Sequence, residues 1–289
     1  MYYLLILLSV IMFGGGFALK DVYRKMRGSS LKISMEVSFI GSIAGIIFLL
    51  IFNGLKFNAT PFTLIMALLA ALNSLAFSFC GFRALDSVNL SLFSLFSMLG
   101  GMLLPFFQGI IFYNEAITVA KVTAVILIFV SLALTLDKSG KRGGMIYCIG
   151  IFIFNGMSGV LTKLFNTLPF ERASAAEYSI CLSVFLIVIS GGIWLVLQLL
   201  EKEKDQKKLT VRAFAVGAAN GGINKVANFI LVLALMHVDT SVQYPMVTGG
   251  VIIVSTIVSL FGDKKPSKRE LISVAFAFLG TLALFIIPV

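Results

Sequence analysis

The stretch AANGGINKVANF, residues 218–229, decides how this chain is read. It lies inside a mostly apolar run from Val211 to Met236, bounded by the charge run EKEKDQKK (201–208) on one side and HVDT (237–240) on the other. A run of that length crosses a bilayer as a helix. Yet Asn220, Asn224, Lys225 and Asn228 sit near its middle, where an unpaired ammonium costs at least about 2.5–3.5 kcal/mol on insertion. A helix carrying such groups at mid-bilayer has to turn them toward something other than lipid.

The rest of the chain agrees that the solvent is a membrane. Of 289 residues, 59% are hydrophobic and only 12% charged, about half the charged share of soluble domains. Breaks of Gly, Pro, Asn and charge divide the apolar sequence into ten predicted helices. The first five are Tyr2–Leu19, Leu31–Phe52, Phe62–Leu85, Val88–Tyr113 and Val119–Leu136. The second five are Gly144–Phe165, Ala173–Leu200, Val211–Met236, Ser241–Phe261 and Leu271–Val289. Apolar runs of this length are helices because lipid offers no partner for an open sheet edge. The first run has neither a basic leader nor a small-residue cleavage site and reads as a retained helix rather than a signal peptide.

The net charge of +10 is dispersed in short clusters between apolar runs, a topology signal rather than a nucleic-acid footprint. No nucleic-acid partner is expected. Cys80, Cys148 and Cys181 lie in apolar runs without paired spacing, and His237 is the only histidine; neither a disulfide framework nor a metal site is supported. With no Gly-rich nucleotide loop or nucleophile elbow either, no cofactor and no enzymatic activity are expected.

The two halves resemble each other. ALDSVNLS from Ala84 aligns with ALMHVDTS from Ala234, and SMEVSFIGS from Ser34 with AAEYSICLS from Ala175, pairing Glu36 with Glu177, Ser38 with Ser179 and Ser42 with Ser183. Weak identity in helix order is the mark of a duplicated membrane unit. Each unit has five crossings, so the second enters the bilayer inverted. The expected fold is therefore all-α and polytopic, with ten transmembrane helices as two inverted five-helix repeats, residues 1–137 and 138–289.

FGGGFALK (13–20) and NGMSGVLTK (155–163), YNEAIT (113–118) and FGDKKP (261–266), and SMLGGMLLPFF with Pro105 inside it together resemble the drug/metabolite transporter superfamily, EamA type, over essentially the whole chain. Departures from the family pattern are Glu36, where the second helix commonly carries Arg, and Phe13 in place of Trp. The resemblance implies a ten-helix transporter with cytoplasmic termini. Lys and Arg point the other way: 18 lie in or within three residues of the connections after helices 1, 3, 5, 7 and 9, against 4 at the even-numbered ones. The positive-inside rule makes the odd connections cytoplasmic, in a multi-pass protein of the cell membrane.

At about 100° per residue, Gly217, Gly221, Asn224, Lys225 and Asn228 share one arc of helix 8. Its repeat counterpart, helix 3, carries Asn73, Ser74 and Ser78. Facing polar stripes suggest a central cavity at the repeat interface; the competing reading is that small and amide residues pack the helices together. Lys225, about a dozen residues from either end of its helix, cannot easily snorkel to an interface. It is read as the partner of a substrate anion, with a structural ion pair as the alternative. Asn224, Asn228, Asn73 and Ser74 would orient the substrate, and Gln243 and Tyr244 at the start of helix 9 would complete the site. Glu36 and Glu177 are candidates for proton coupling, although SAAE (174–177) is also a capping box in which Glu177 would serve a helix start.

The expected activity is secondary transport of a small polar metabolite with a carboxylate, such as an amino acid, coupled to protons by alternating access. The alternatives are an exporter of drug-like or cationic compounds and a non-transporting membrane scaffold or receptor.

Overall fold

The computed structural model describes the backbone of residues 2–53, 59–114, 116–135, 142–200, 209–235 and 240–286, and their side chains except at 135, 142–143, 232–235, 240–245 and 285. These residues form α1 (Tyr2–Arg27), α2 (Leu31–Phe52), α3 (Pro61–Ser87), α4 (Leu90–Tyr113), α5 (Val119–Thr135), α6 (Arg142–Thr167), α7 (Ala175–Leu200), α8 (Val211–Leu235), α9 (Thr240–Leu260) and α10 (Lys268–Ile286).

Local chemistry sets many of the boundaries. Ser30, Thr60 and Asn89 accept from backbone N–H groups three residues on and start α2, α3 and α4, with Pro61 preset at the first position of α3. Asn114, in the left-handed region at φ 50°, ends α4. Reciprocal capping boxes start α7, through Ser174 and Glu177, and α10, through Ser267 and Glu270.

One boundary departs from expectation in a way that matters. The first helix does not stop at Leu19 but continues to Arg27. Asp21 pairs with Arg24 and Lys25 one turn on, and the cations of the last turn complement the helix dipole. Lys20, Arg24, Lys25 and Arg27 are thus helical residues rather than connection residues, and Lys32 lies inside α2.

Among the described residues, those beside the connections pair at two opposite ends of the helices. At one, Arg24 on α1 bonds Asp86 after α3 (2.8 Å) and Lys25 bonds Asp263 after α9 (2.7 Å). Lys264 donates to the carbonyls of Leu85 and Asp86, and Asn89 to Glu270. The Lys25 ammonium, hydrogen-bonded to Asp263, holds that carboxyl below the ordinary carboxylate range. At the other end Thr60 donates to the Glu171 carbonyl (2.9 Å), Thr63 accepts from the Ala173 N–H (3.0 Å), and Tyr113 meets Thr167 (2.6 Å).

Between these ends α1 packs on α8 and α9, and α6 on α3 and α4. Helix α2 packs on α7 and α8, α3 also on α7, α4 on α9, and α5 on α10. Small residues permit the closest crossings. A Cβ at Gly221 of α8 would collide with the backbone of Gly41 on α2, whereas one at the adjacent Gly222 would meet nothing within 4 Å. A Cβ at Gly100 of α4 would likewise strike the Phe152 carbonyl of α6. Leu95, Leu99, Leu103, Ile128, Ile151 and Ile252 are fully buried in the main apolar core, while Leu4, Ile65, Val188 and Leu199 are exposed. Several interior serines find partners across helices, as Ser131 and Ser273 do between α5 and α10. Six of the helices, α1–α4, α6 and α7, are long and apolar enough within the described residues to cross a membrane. The chain has the fold of a helical membrane protein.

Candidate functional site

The polar stripe of α8 faces a cavity of about 250 Å³ bounded by α1, α2, α3, α7 and α8, near the lower limit of the roughly 300–1,000 Å³ of small-molecule sites. Asn220, Gly221, Asn224 and Lys225 line one wall. Opposite them α1 and α2 present glycines that make room. A Cβ at Gly16 would lie 2.8 Å from the Asn224 amide nitrogen, and one at Gly45 would lie 2.7 Å from Cγ of Lys225, so the lysine stem runs along α2. Ser38 and Ser42 of α2 and Ser74 and Ser78 of α3 add hydroxyls to the lining.

Two cations reach this space. Lys225 is half-buried. Lys20, on α1, is buried and places its ammonium 4.8 Å from the Phe77 ring centroid, 5.4 Å from Phe82 and 5.7 Å from Phe93, an aromatic box that offsets part of the cost of desolvating a charge. Among the described residues no ion pair reaches either lysine, and no carboxylate lines the cavity. The ion-pair alternative for Lys225 therefore has no partner among them.

Lys20 went unrecognised in the sequence because helix 1 was expected to end before it. The available signal was the spacing of Gly16 and Lys20 in FGGGFALK, four residues apart and so on one helix face.

The other expected residues separate into those at the cavity and those elsewhere. Ser74 and Asn224 line it. Asn224 also donates to the carbonyl and side-chain oxygen of Asn220 (both 2.8 Å), and Asn220 donates to the Gly16 carbonyl (3.3 Å). Asn228 is exposed and donates to the Asn224 carbonyl. Asn73 ties α3 to α6 by donating to the Phe154 carbonyl and Ser158, each at 2.8 Å. It serves packing in this conformation. The side chains of Gln243 and Tyr244 lie outside the described residues.

Glu36 and Glu177 occupy different settings despite their repeat relationship. Glu177 belongs to the capping box of α7, accepting from the Ser174 N–H at 2.8 Å. Glu36 is 2% exposed and is gripped from three directions. Arg27 donates from Nε to Oε1 (2.8 Å) and from Nη2 to Oε2 (2.7 Å), and Tyr23 donates to Oε1 (2.5 Å). Along α1 the cavity residues Gly16, Phe17 and Lys20 are followed one turn later by Tyr23 and one further by Arg27. Tyr23 packs edge-on against Phe82. This clasp and its aromatic pair lie between the cavity residues of α1 and its connection to α2.

No family model and no curated protein matches the chain. A solved structure described as "Crystal structure of protein" superposes with a TM-score of 0.60 at 14% identity, covering 97% of this chain and 99% of that one. At that identity the likeness establishes a shared fold alone.

Proposed function

We propose that the chain is a secondary transporter of the drug/metabolite transporter superfamily, EamA type, moving a small polar metabolite with a carboxylate across the cell membrane. The observation that carries this reading is a central cavity lined by Lys225 and Lys20 with no carboxylate beside them among the described residues. A charge kept unpaired in a membrane bundle is expensive and marks a substrate path. A scaffold or receptor has no need of it, and a cationic solute would meet two like charges.

Ten crossings in two inverted five-helix repeats are supported by the packing. Exchanging each helix for the one five places along converts α1–α8 into α6–α3, α1–α9 into α6–α4, and α2–α8 into α7–α3, all of which are packed pairs. The Lys and Arg bias supports a cytoplasmic location for the odd-numbered connections. Proton coupling would rest with Glu36, the buried acid that ties α2 to the end of α1 through Arg27 and Tyr23.

Reconstitution into liposomes tests the function and the orientation together. Counterflow of a labelled carboxylate, dependent on the protein and competed by unlabelled solute, is the expected result; no saturable flux for any carboxylate would return the scaffold reading. Single cysteines at Lys265 and Pro169, in a background lacking Cys80, Cys148 and Cys181, report orientation in intact cells. An impermeant thiol reagent added outside should label position 169 and spare position 265, and the reverse pattern overturns the assignment.

A further inference from the structure

Resting on the anion-transport reading above, we infer that the solute is a dianion with two separated anionic groups, a short dicarboxylate, rather than a monocarboxylate or a zwitterion. Lys20 and Lys225 belong to different helices and reach different parts of one cavity. The ammonium of Lys20 lies toward α3 and α4, under Phe77, Phe82 and Phe93, while the stem of Lys225 lies against Gly45 on α2. Neither has a carboxylate partner among the described residues, since the buried acid nearest in sequence to the lining, Glu36, is held by Arg27 and Tyr23.

Charge arithmetic then ranks the solutes. Two like charges in a cavity of about 250 Å³ repel each other, and the surrounding apolar bundle screens them poorly. A dianion neutralises both. A monocarboxylate leaves one ammonium unmatched, and a zwitterion adds a third positive charge. Because Lys20 turns toward the rings of α3 and α4 while Lys225 lies along α2, carboxylates at the two ends of a short chain fit the pair better than the compact charge of phosphate. The hydroxyls of Ser42, Ser74 and Ser78 and the second N–H of Asn220, whose first is held by the Gly16 carbonyl, supply the neutral donors that a carboxylate also needs.

The test measures binding to the full-length purified protein by thermal stabilisation, and counterflow in proteoliposomes, for succinate, glutarate, butyrate, alanine, inorganic phosphate and choline. Succinate or glutarate should bind at least about tenfold more tightly than butyrate, the size of one charge-assisted contact. Lys20→Met should erase that advantage, weakening succinate about tenfold while leaving butyrate within about threefold; Lys20→Arg should retain a preference for two charges. Butyrate or alanine binding as tightly as the dicarboxylates overturns the inference and leaves the transporter reading standing. Phosphate outranking both dicarboxylates overturns the separated-charge geometry. Choline alone, or no solute at all, removes the inference and the anion reading together. If Lys20→Met does not fold, the ranking by the wild-type protein decides.

Discussion

Lys225→Met should abolish counterflow and ligand stabilisation while leaving the folded protein as stable as the wild type or more so. Methionine keeps much of the length of lysine, so the stem can still lie along Gly45, and the unpaired charge that opposes folding is gone. An ion-pair role predicts the opposite, because removing one member of a buried pair strands the other at about 3–5 kcal/mol. Among the described residues there is no such partner to strand. Lys225→Arg should recover part of the activity, limited by the loss of the compact ammonium. A Lys225→Met protein that melts well below the wild type yet transports normally per folded molecule would move the substrate site elsewhere.

Glu36→Gln should be the most destabilising of the carboxylate substitutions, by about 3 kcal/mol, the lower end of the range for breaking a buried pair because Arg27 lies in the last turn of its helix. The side chains of Arg27 and Glu36 are only 6% and 2% exposed, and Arg27 Nη1 already lacks a partner among the described residues. Glutamine would leave the guanidinium facing a neutral amide. Replacing both residues, Arg27→Met with Glu36→Met, removes the stranded charge and should restore most of the loss in thermal or denaturant unfolding of the detergent-solubilised protein. Glu177→Gln should cost no more than about 0.5–1 kcal/mol, since glutamine also closes a capping box. The restored double mutant separates structure from coupling. If it retains counterflow but no longer accumulates solute in response to a pH gradient, Glu36 carries the proton; gradient-driven accumulation at the wild-type rate would reduce the clasp to a structural tie.

The helices were legible in the sequence because each depends on neighbours along the chain. Hydropathy over about twenty residues locates a span, and Ser30, Thr60, Asn89 and Ser174 mark where α2, α3, α4 and α7 begin. The stripe of α8 was legible for the same reason: helical periodicity aligns Asn224 and Lys225 whatever surrounds them. The end of α1 was less so. KDVYRKMR (20–27) is charged enough to read as a connection, and it stays helical through ion pairs to Asp21, Asp86 and Asp263, two of which belong to distant parts of the chain.

What a polar residue does was beyond the sequence wherever its partner came from another helix. Asn73 and Asn224 are both amides on polar helix faces. Asn73 donates across to α6, whereas Asn224 donates within its own helix and lines the cavity, because the rotation of each helix is set by what it packs against. Glu36 and Glu177 align in the repeat, yet Arg27 and Tyr23 reach only the first. By itself the sequence determined a membrane chain of ten helices and a lysine too deep to reach water along its own helix, since hydropathy and periodicity are properties of contiguous residues. Only the tertiary structure decided that Lys20 shares the cavity with Lys225 and that both lack a carboxylate partner among the described residues, because those facts depend on how α1, α2, α3 and α8 approach one another across gaps that glycine alone allows.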